Sequence, residues 1–92
     1  LEDFAGAIQD YNKAIELNPD GAFAFNNRGN AKNNLEDFAG AIQDYNKAIE
    51  LKPDDASAFN NRGLAKMNLG DLEGAMLDFK KASELDPSLF KY

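Results

Sequence analysis

The sequence predicts an all-α solenoid of stacked antiparallel helix pairs, and three observations predict it. First, LEDFAGAIQDYNKAIEL fills residues 1–17 and returns verbatim at 35–51, an offset of 35 − 1 = 34. Second, the apolar residues inside each copy recur at helical spacing. Third, proline, glycine and aspartate punctuate each copy at the same offset. A helix pair of this size has too little apolar surface to fold alone, so neighbouring pairs must stack to bury a continuous core.

The repeat is close to exact. Residues 1–34 differ from 35–68 at only five places: Asn18/Lys52, Gly21/Asp55, Phe23/Ser57, Asn30/Leu64 and Asn33/Met67. A looser copy of the first half runs from Leu69 to Pro87, keeping Asp71, Gly74, Ala75, Asp78, Lys81, Ala82, Glu84 and Leu85 in place.

Taken in order, the elements alternate between second (B) and first (A) helices of the unit. Residues 1–17 and 35–51 each form a B helix; in the latter, Phe38, Ala41, Ile42, Tyr45, Ala48 and Ile49 make a one-sided apolar stripe. Residues 22–35 and 56–69 form the A helices, the first with a weaker stripe of Ala24, Phe25, Ala31 and Leu35. Pro19, Pro53 and Pro87 close the B helices, each followed by Asp or Ser, which suit a turn. Before the last B helix, Gly70 and then Asp71 read as a helix-ending glycine and an N-cap. Glu2 and Glu36 stand where Gly70 does, at a cost of about 1 kcal/mol if the left-handed conformation is kept.

A helix–turn–helix unit of 34 residues with these small and aromatic positions resembles the tetratricopeptide repeat (TPR) family, whose pattern is W-x2-L-G-x2-Y, then A-x3-F, then P. Phe25, Gly29, Ala41, Tyr45 and Pro53 occupy those places in one unit; Phe59, Gly63, Ala75, Phe79 and Pro87 occupy them in the next; Ala7, Tyr11 and Pro19 supply half of an earlier one. The resemblance implies a TPR-type α-solenoid with helix order B-A-B-A-B. Residues 1–21 are the second helix of a partial repeat, 22–55 and 56–89 are full repeats, and 90–92 form a C-terminal tail. No first helix covers residues 1–17, and no capping helix closes the far end unless Leu89, Phe90 and Tyr92 begin one. The chain therefore reads as part of a longer array, or as a unit that covers its open ends by self-association.

Two departures from the family pattern matter. Arg28 and Arg62 replace its Leu, and Lys32 and Lys66 replace its Tyr, close to the middle of the apolar side. One reading lays their stems along apolar surface, with the charged heads in solvent or on a B-helix carboxylate such as Asp10, Asp44 or Asp78. The other makes them charged contacts, a positive strip for an acidic ligand.

Composition narrows the function. Of the 92 residues 43% are hydrophobic and 28% charged, a soluble, folded balance. There is no Cys and no His, which removes thiolate and imidazole chemistry, and no metal-ligand cluster or phosphate loop is visible; no cofactor is expected. A net charge of −6, from 10 basic and 16 acidic residues, disfavours nucleic acid. No apolar run suits a membrane span, and no signal-peptide pattern opens the chain. The carboxylates Asp10, Glu16, Asp44, Glu50, Asp78 and Glu84 recur on the B helices and read as solvating an outer face.

Family likeness puts the A helices along a concave groove. The side opposite the apolar stripe carries Phe23, Asn26, Asn27, Asn30, Asn33 and Asn34 on one A helix, and Ser57, Asn60, Asn61, Leu64, Met67 and Asn68 on the next. Asparagine is a mediocre helix former, so its concentration there asks for a reason. A primary amide donates and accepts at once and can hold the backbone of an extended peptide without reading its side chains. Asn27 and Asn61 match the asparagine ladder in the TPRs of the enzyme that transfers N-acetylglucosamine to Ser/Thr. Against the carboxylate clamp that holds acidic chaperone tails, only Asn30 and Asn61 match, and chaperone-tail binding is not expected. Leu64 and Met67 either offer a ligand an apolar anchor or mark where the duplicated copies drifted apart. The sequence thus points to a non-catalytic module for a protein or peptide ligand, with a self-assembling structural unit as the alternative.

Overall fold

The computed structural model describes residues 3–90 as five α-helices and a short 3-10 turn. The helices are α1 (Phe4–Leu17), α2 (Ala22–Asn34), α3 (Phe38–Leu51), α4 (Ala56–Asn68) and α5 (Leu72–Leu85). Each packs on its sequence neighbour, and α2 also touches α4, so the chain winds as stacked antiparallel pairs. The B-A-B-A-B order is observed. The A helices end one residue earlier than the spacing predicts, because Leu35 and Leu69 serve as C-caps, half-exposed at 50% and 55%.

Local chemistry sets the boundaries. Asp3, Asp37 and Asp71 cap the B helices by accepting hydrogen bonds from the backbone N–H groups of Gly6, Gly40 and Gly74 at 2.8, 3.0 and 2.9 Å. Asp55 caps α4 through Ser57 N–H at 3.0 Å, whereas Gly21, its counterpart before α2, has no side chain to offer. The B helices stop at Asn18, Lys52 and Asp86, each directly before a proline. Between the two helices of each pair the chain turns through a left-handed residue. Gly70 has φ 88°, and Glu36 adopts φ 65° at the matching place, so the strain expected from a non-glycine is present there. Glu2 lies outside the described residues.

The core is thin and made of small residues: Ala31, Ala41, Ala48, Ala58, Ala65, Ala75 and Ala82 are buried, and Tyr45, the large side chain fully buried among the described residues, packs with Ala41 and Ala65. Small residues let the helix axes approach closely, and Gly29 and Gly63 complete the arrangement. A Cβ at Gly29 would come within 2.8 Å of the Tyr45 ring, and one at Gly63 within 2.7 Å of the Phe79 ring. Leu89 and Phe90 fall in the 3-10 turn Pro87–Phe90, and Tyr92, the last residue of the anticipated capping segment, lies outside the described residues. Among the described residues no helix is long and apolar enough to cross a membrane.

Candidate ligand-binding face

Two carboxylates overturn the expectation that B-helix acids solvate an outer face. Asp44 and Asp78 are each only 4% exposed. The cause is the pair of cations that the sequence places on the apolar side of each A helix. Arg28 donates from Nε and Nη2 to Asp44 at 2.8 and 2.7 Å, a bidentate pair, and Lys32 Nζ lies 3.1 Å from Asp44. One unit later Arg62 holds Asp78 at 2.8 and 2.6 Å, with Lys66 at 3.1 Å. A buried carboxylate needs a partner of this kind to stay charged. The bond to Asp44, more than the added attraction of its charge, raises the Arg28 pKa above its ordinary value, while burial opposes the rise.

Each arginine also ties three helices together. Arg28 Nη1 donates to Asn12 on α1 at 2.8 Å, and Arg62 Nη1 to Asn46 on α3 at 3.0 Å. Their guanidinium carbons lie 5.4 and 5.3 Å from the ring centres of Phe25 and Phe59, within cation–π range. Of the two sequence readings, the geometry supplies the first: heads on a B-helix carboxylate. Arg28, Lys32, Arg62 and Lys66 are thereby engaged inside the fold.

The amides fall into four groups. Asn34 and Asn68, both exposed, donate back to the carbonyls of Asn30 and Leu64 on their own helices at 2.9 and 3.0 Å. Asn30 accepts from the Tyr45 hydroxyl at 2.6 Å, which leaves its amide N–H₂ as the free end. Burial, and then the charge of Asp44, push the Tyr45 pKa well above its ordinary value, so the hydroxyl stays a donor. The carboxamide oxygens of Asn26 and Asn33 are shut off from solvent without a hydrogen-bond partner. Asn27, Asn60 and Asn61 are half-buried and make no side-chain hydrogen bond among the described residues. Leu64 and Met67 are 38% and 43% exposed on the same helix as Asn61.

Asn27, Asn30 and Asn34 share an open cleft of about 410 Å³ with Ala31, with the α1 cap Asp3, and with Phe4, Ala7 and Tyr11 of α1. Sequence reasoning had not singled out Asn12, Asn46 or the hydroxyl of Tyr45 as polar partners. The signal was available for Tyr45, because Asn30 becomes Leu64 in the one unit where Tyr45 becomes Phe79.

Comparison with known families decides the family. A model described as "TPR repeat" matches residues 1–35 and 29–70, and one described as "Tetratricopeptide repeat" matches 56–89. The chain belongs to the tetratricopeptide repeat family. A search of curated proteins returned no match. Among solved structures, the first TPR of Spaghetti (RPAP3) bound to the HSP90 peptide SRMEEVD is similar at 33% identity and a TM-score of 0.92, over 95% of this chain and 69% of that one. The Arabidopsis OM64 TPR domain is 33% identical, TM-score 0.90, over 91% and 69% of the two chains. The TPR2B domain of yeast Sti1, solved as a pHsp70 complex, is 29% identical, TM-score 0.90, over 95% and 70%. The TPR fold that the repeat predicts is thus shared with proteins of known structure, and the chain is a TPR module of the protein-interaction type.

Proposed function

We propose that the face formed by α2 and α4 binds an extended peptide through side-chain amides, with Asn27 and Asn61 making the principal contacts. The carrying observation is that these two asparagines repeat 34 residues apart, are half-buried, and spend their amides on nothing within the described residues. Each can accept one peptide N–H and donate to one peptide C=O. Asn26, Asn30, Asn33, Asn34, Asn60 and Asn68 flank them, and Leu64 and Met67 supply an apolar anchor beside Asn61. The unit boundaries that go with this reading are 22–55 and 56–89, with 1–21 as a partial repeat and 90–92 as a tail.

Neighbours solved with HSP90 and Hsp70 peptides support a peptide as the ligand class. A clamp for acidic tails needs cations that are free to meet carboxylates. All four on α2 and α4 are held by Asp44 and Asp78. The groove therefore reads peptide backbone rather than terminal charge, and no reaction is proposed for it. Titrating fluorescent peptides against the chain tests this: affinity should change little between low and physiological salt, and an acidic C-terminal tail should bind no better than its amide-capped form. Steep salt dependence with preference for the free acidic tail would reject the amide reading.

The alternative, a self-stacking unit, is favoured by one observation. Leu72, Met76 and Leu77 on α5 are 60%, 70% and 65% exposed. Sedimentation across a range of concentrations tests it, with a mass that stays monomeric counting against it.

A further inference from the structure

Five places distinguish residues 1–34 from 35–68, and three of them, Phe23/Ser57, Asn30/Leu64 and Asn33/Met67, lie on the groove side of α2 and α4. Drift scatters over a whole unit, yet the six groove positions among its 34 hold three of the five differences. Each of the three exchanges a polar residue for an apolar one, and the apolar member is exposed: Phe23 by 79%, Leu64 by 38% and Met67 by 43%. Asn30 and Asn33 are half-buried. Apolar groups thus stand where solvent reaches and amides where it reaches less, the reverse of what desolvation favours. The contrast is one of side-chain identity at matching places, not of which helix stands at the end of the array. No ionisable residue occupies any of the twelve groove positions, in a chain that is 28% charged.

The amides can hold a peptide backbone but cannot tell one side chain from another, so selection falls to the three apolar groups. Position 23 precedes position 30 by about two helical turns, so Phe23 and Leu64 occupy places in line on their own helices. Helices α2 and α4 run the same way and touch. A step of about 10 Å along the axis and about 10 Å between neighbouring axes sets the two side chains about 14 Å apart on the diagonal. Met67 follows Leu64 by three residues and joins it in one patch. An extended chain covers about 13 Å in four residues and points residues i and i+4 to the same side. We propose that the groove selects extended peptides carrying two apolar side chains four residues apart, one on Phe23 and the other on Leu64 and Met67. The preference rests on the amide reading of the same face and adds the sequence pattern of its ligand. Leu64 also answers to Phe79 inside the fold, so Phe23 and Met67 carry most of the selectivity.

Fluorescent nonapeptides of Ser and Gln, capped at both ends, test it, with two Leu set two, four, six or eight residues apart, or with none. Against the native chain, the pair at four should bind about tenfold more tightly than the peptide without Leu. The pairs at two and six span about 7 and 20 Å and should gain less. Phe23→Ser and Met67→Asn each introduce the residue that the fold already carries at the matching place, and each should erase the preference for four. A gain that is equal at every spacing, or that survives both variants, would overturn the pattern; binding still lost in Asn27→Ala/Asn61→Ala would then leave the amide reading standing without it. A maximum at eight, about 12 Å of a helical guest, would also overturn it. A preference for four that persists in Asn27→Ala/Asn61→Ala would uphold the pattern and reject the amides as principal contacts. No binding by any peptide at millimolar concentration would reject both. The spacing series needs only the native chain, so it decides even where a variant fails to fold.

Discussion

The Tyr45 hydroxyl donates to the Asn30 carboxamide oxygen at 2.6 Å, and one unit later the same two positions hold Phe79 and Leu64. The polar pair and the apolar pair are two solutions to one packing problem. In each, the ring lies against a glycine of the facing helix, Gly29 or Gly63, and the position after that glycine matches the ring's polarity.

Exchanging one member alone should break the match. Asn30→Leu buries the Tyr45 hydroxyl without an acceptor and should cost about 1–2 kcal/mol, and Tyr45→Phe should cost about 1 kcal/mol. The double variant, which copies the following unit, should recover most of the loss. Urea denaturation of the four chains as a double-mutant cycle measures this, with a coupling near zero as the contrary result.

Alkaline pH should weaken the same contact. The Tyr45 pKa is raised in the folded state, by burial first and by Asp44 second. The folded chain therefore holds its proton after the unfolded chain has released it near the ordinary value of about 10. Stability from this group is complete below that pH and falls as pH rises beyond it. Tyr45→Phe should flatten the alkaline decline relative to the parent; parallel declines in the two chains would count against the assignment.

Asp44 holds two cations in a site that excludes most solvent. Asp44→Ala leaves Arg28 and Lys32 without their counter-charge and should destabilise the chain by roughly 3 kcal/mol. Asp10→Ala, with the same sequence around it but an exposed side chain, should cost under about 0.5 kcal/mol. Thermal melts of the two variants compare one residue type in two environments.

Glu36 keeps a left-handed backbone, φ 65°, at the turn where Gly70 serves the next pair. Glu36→Gly should stabilise by about 0.5–1 kcal/mol, the relief of strain outweighing the added freedom of the unfolded chain. A loss of stability would mean that the side chain contributes more than its backbone costs.

Much of this fold was legible because a 34-residue repeat fixes helix pairing wherever it is found. Asp71 announced its cap, and Pro19 and Pro53 their helix ends. Asp44 was harder. An acid on a mostly polar stretch of α3 looks solvated, and its burial depends on where Arg28 points from a different helix. Sequence periodicity describes one helix at a time, so a charge pair formed across two stays hidden until the helices are set side by side. The asparagines pose the opposite difficulty: their concentration is plain, but Asn30 and Asn34 turn to the fold itself while Asn27 and Asn61 do not.

The central claim is that Asn27 and Asn61 hold a peptide backbone. The most direct measurement is binding to an array of random-sequence peptides by the native chain and by Asn27→Ala/Asn61→Ala, with melting curves run alongside. At about 1 kcal/mol for each lost amide contact, the double variant should bind roughly 30-fold more weakly across unrelated peptides while melting close to the parent. Unchanged affinity in a folded double variant would contradict the account.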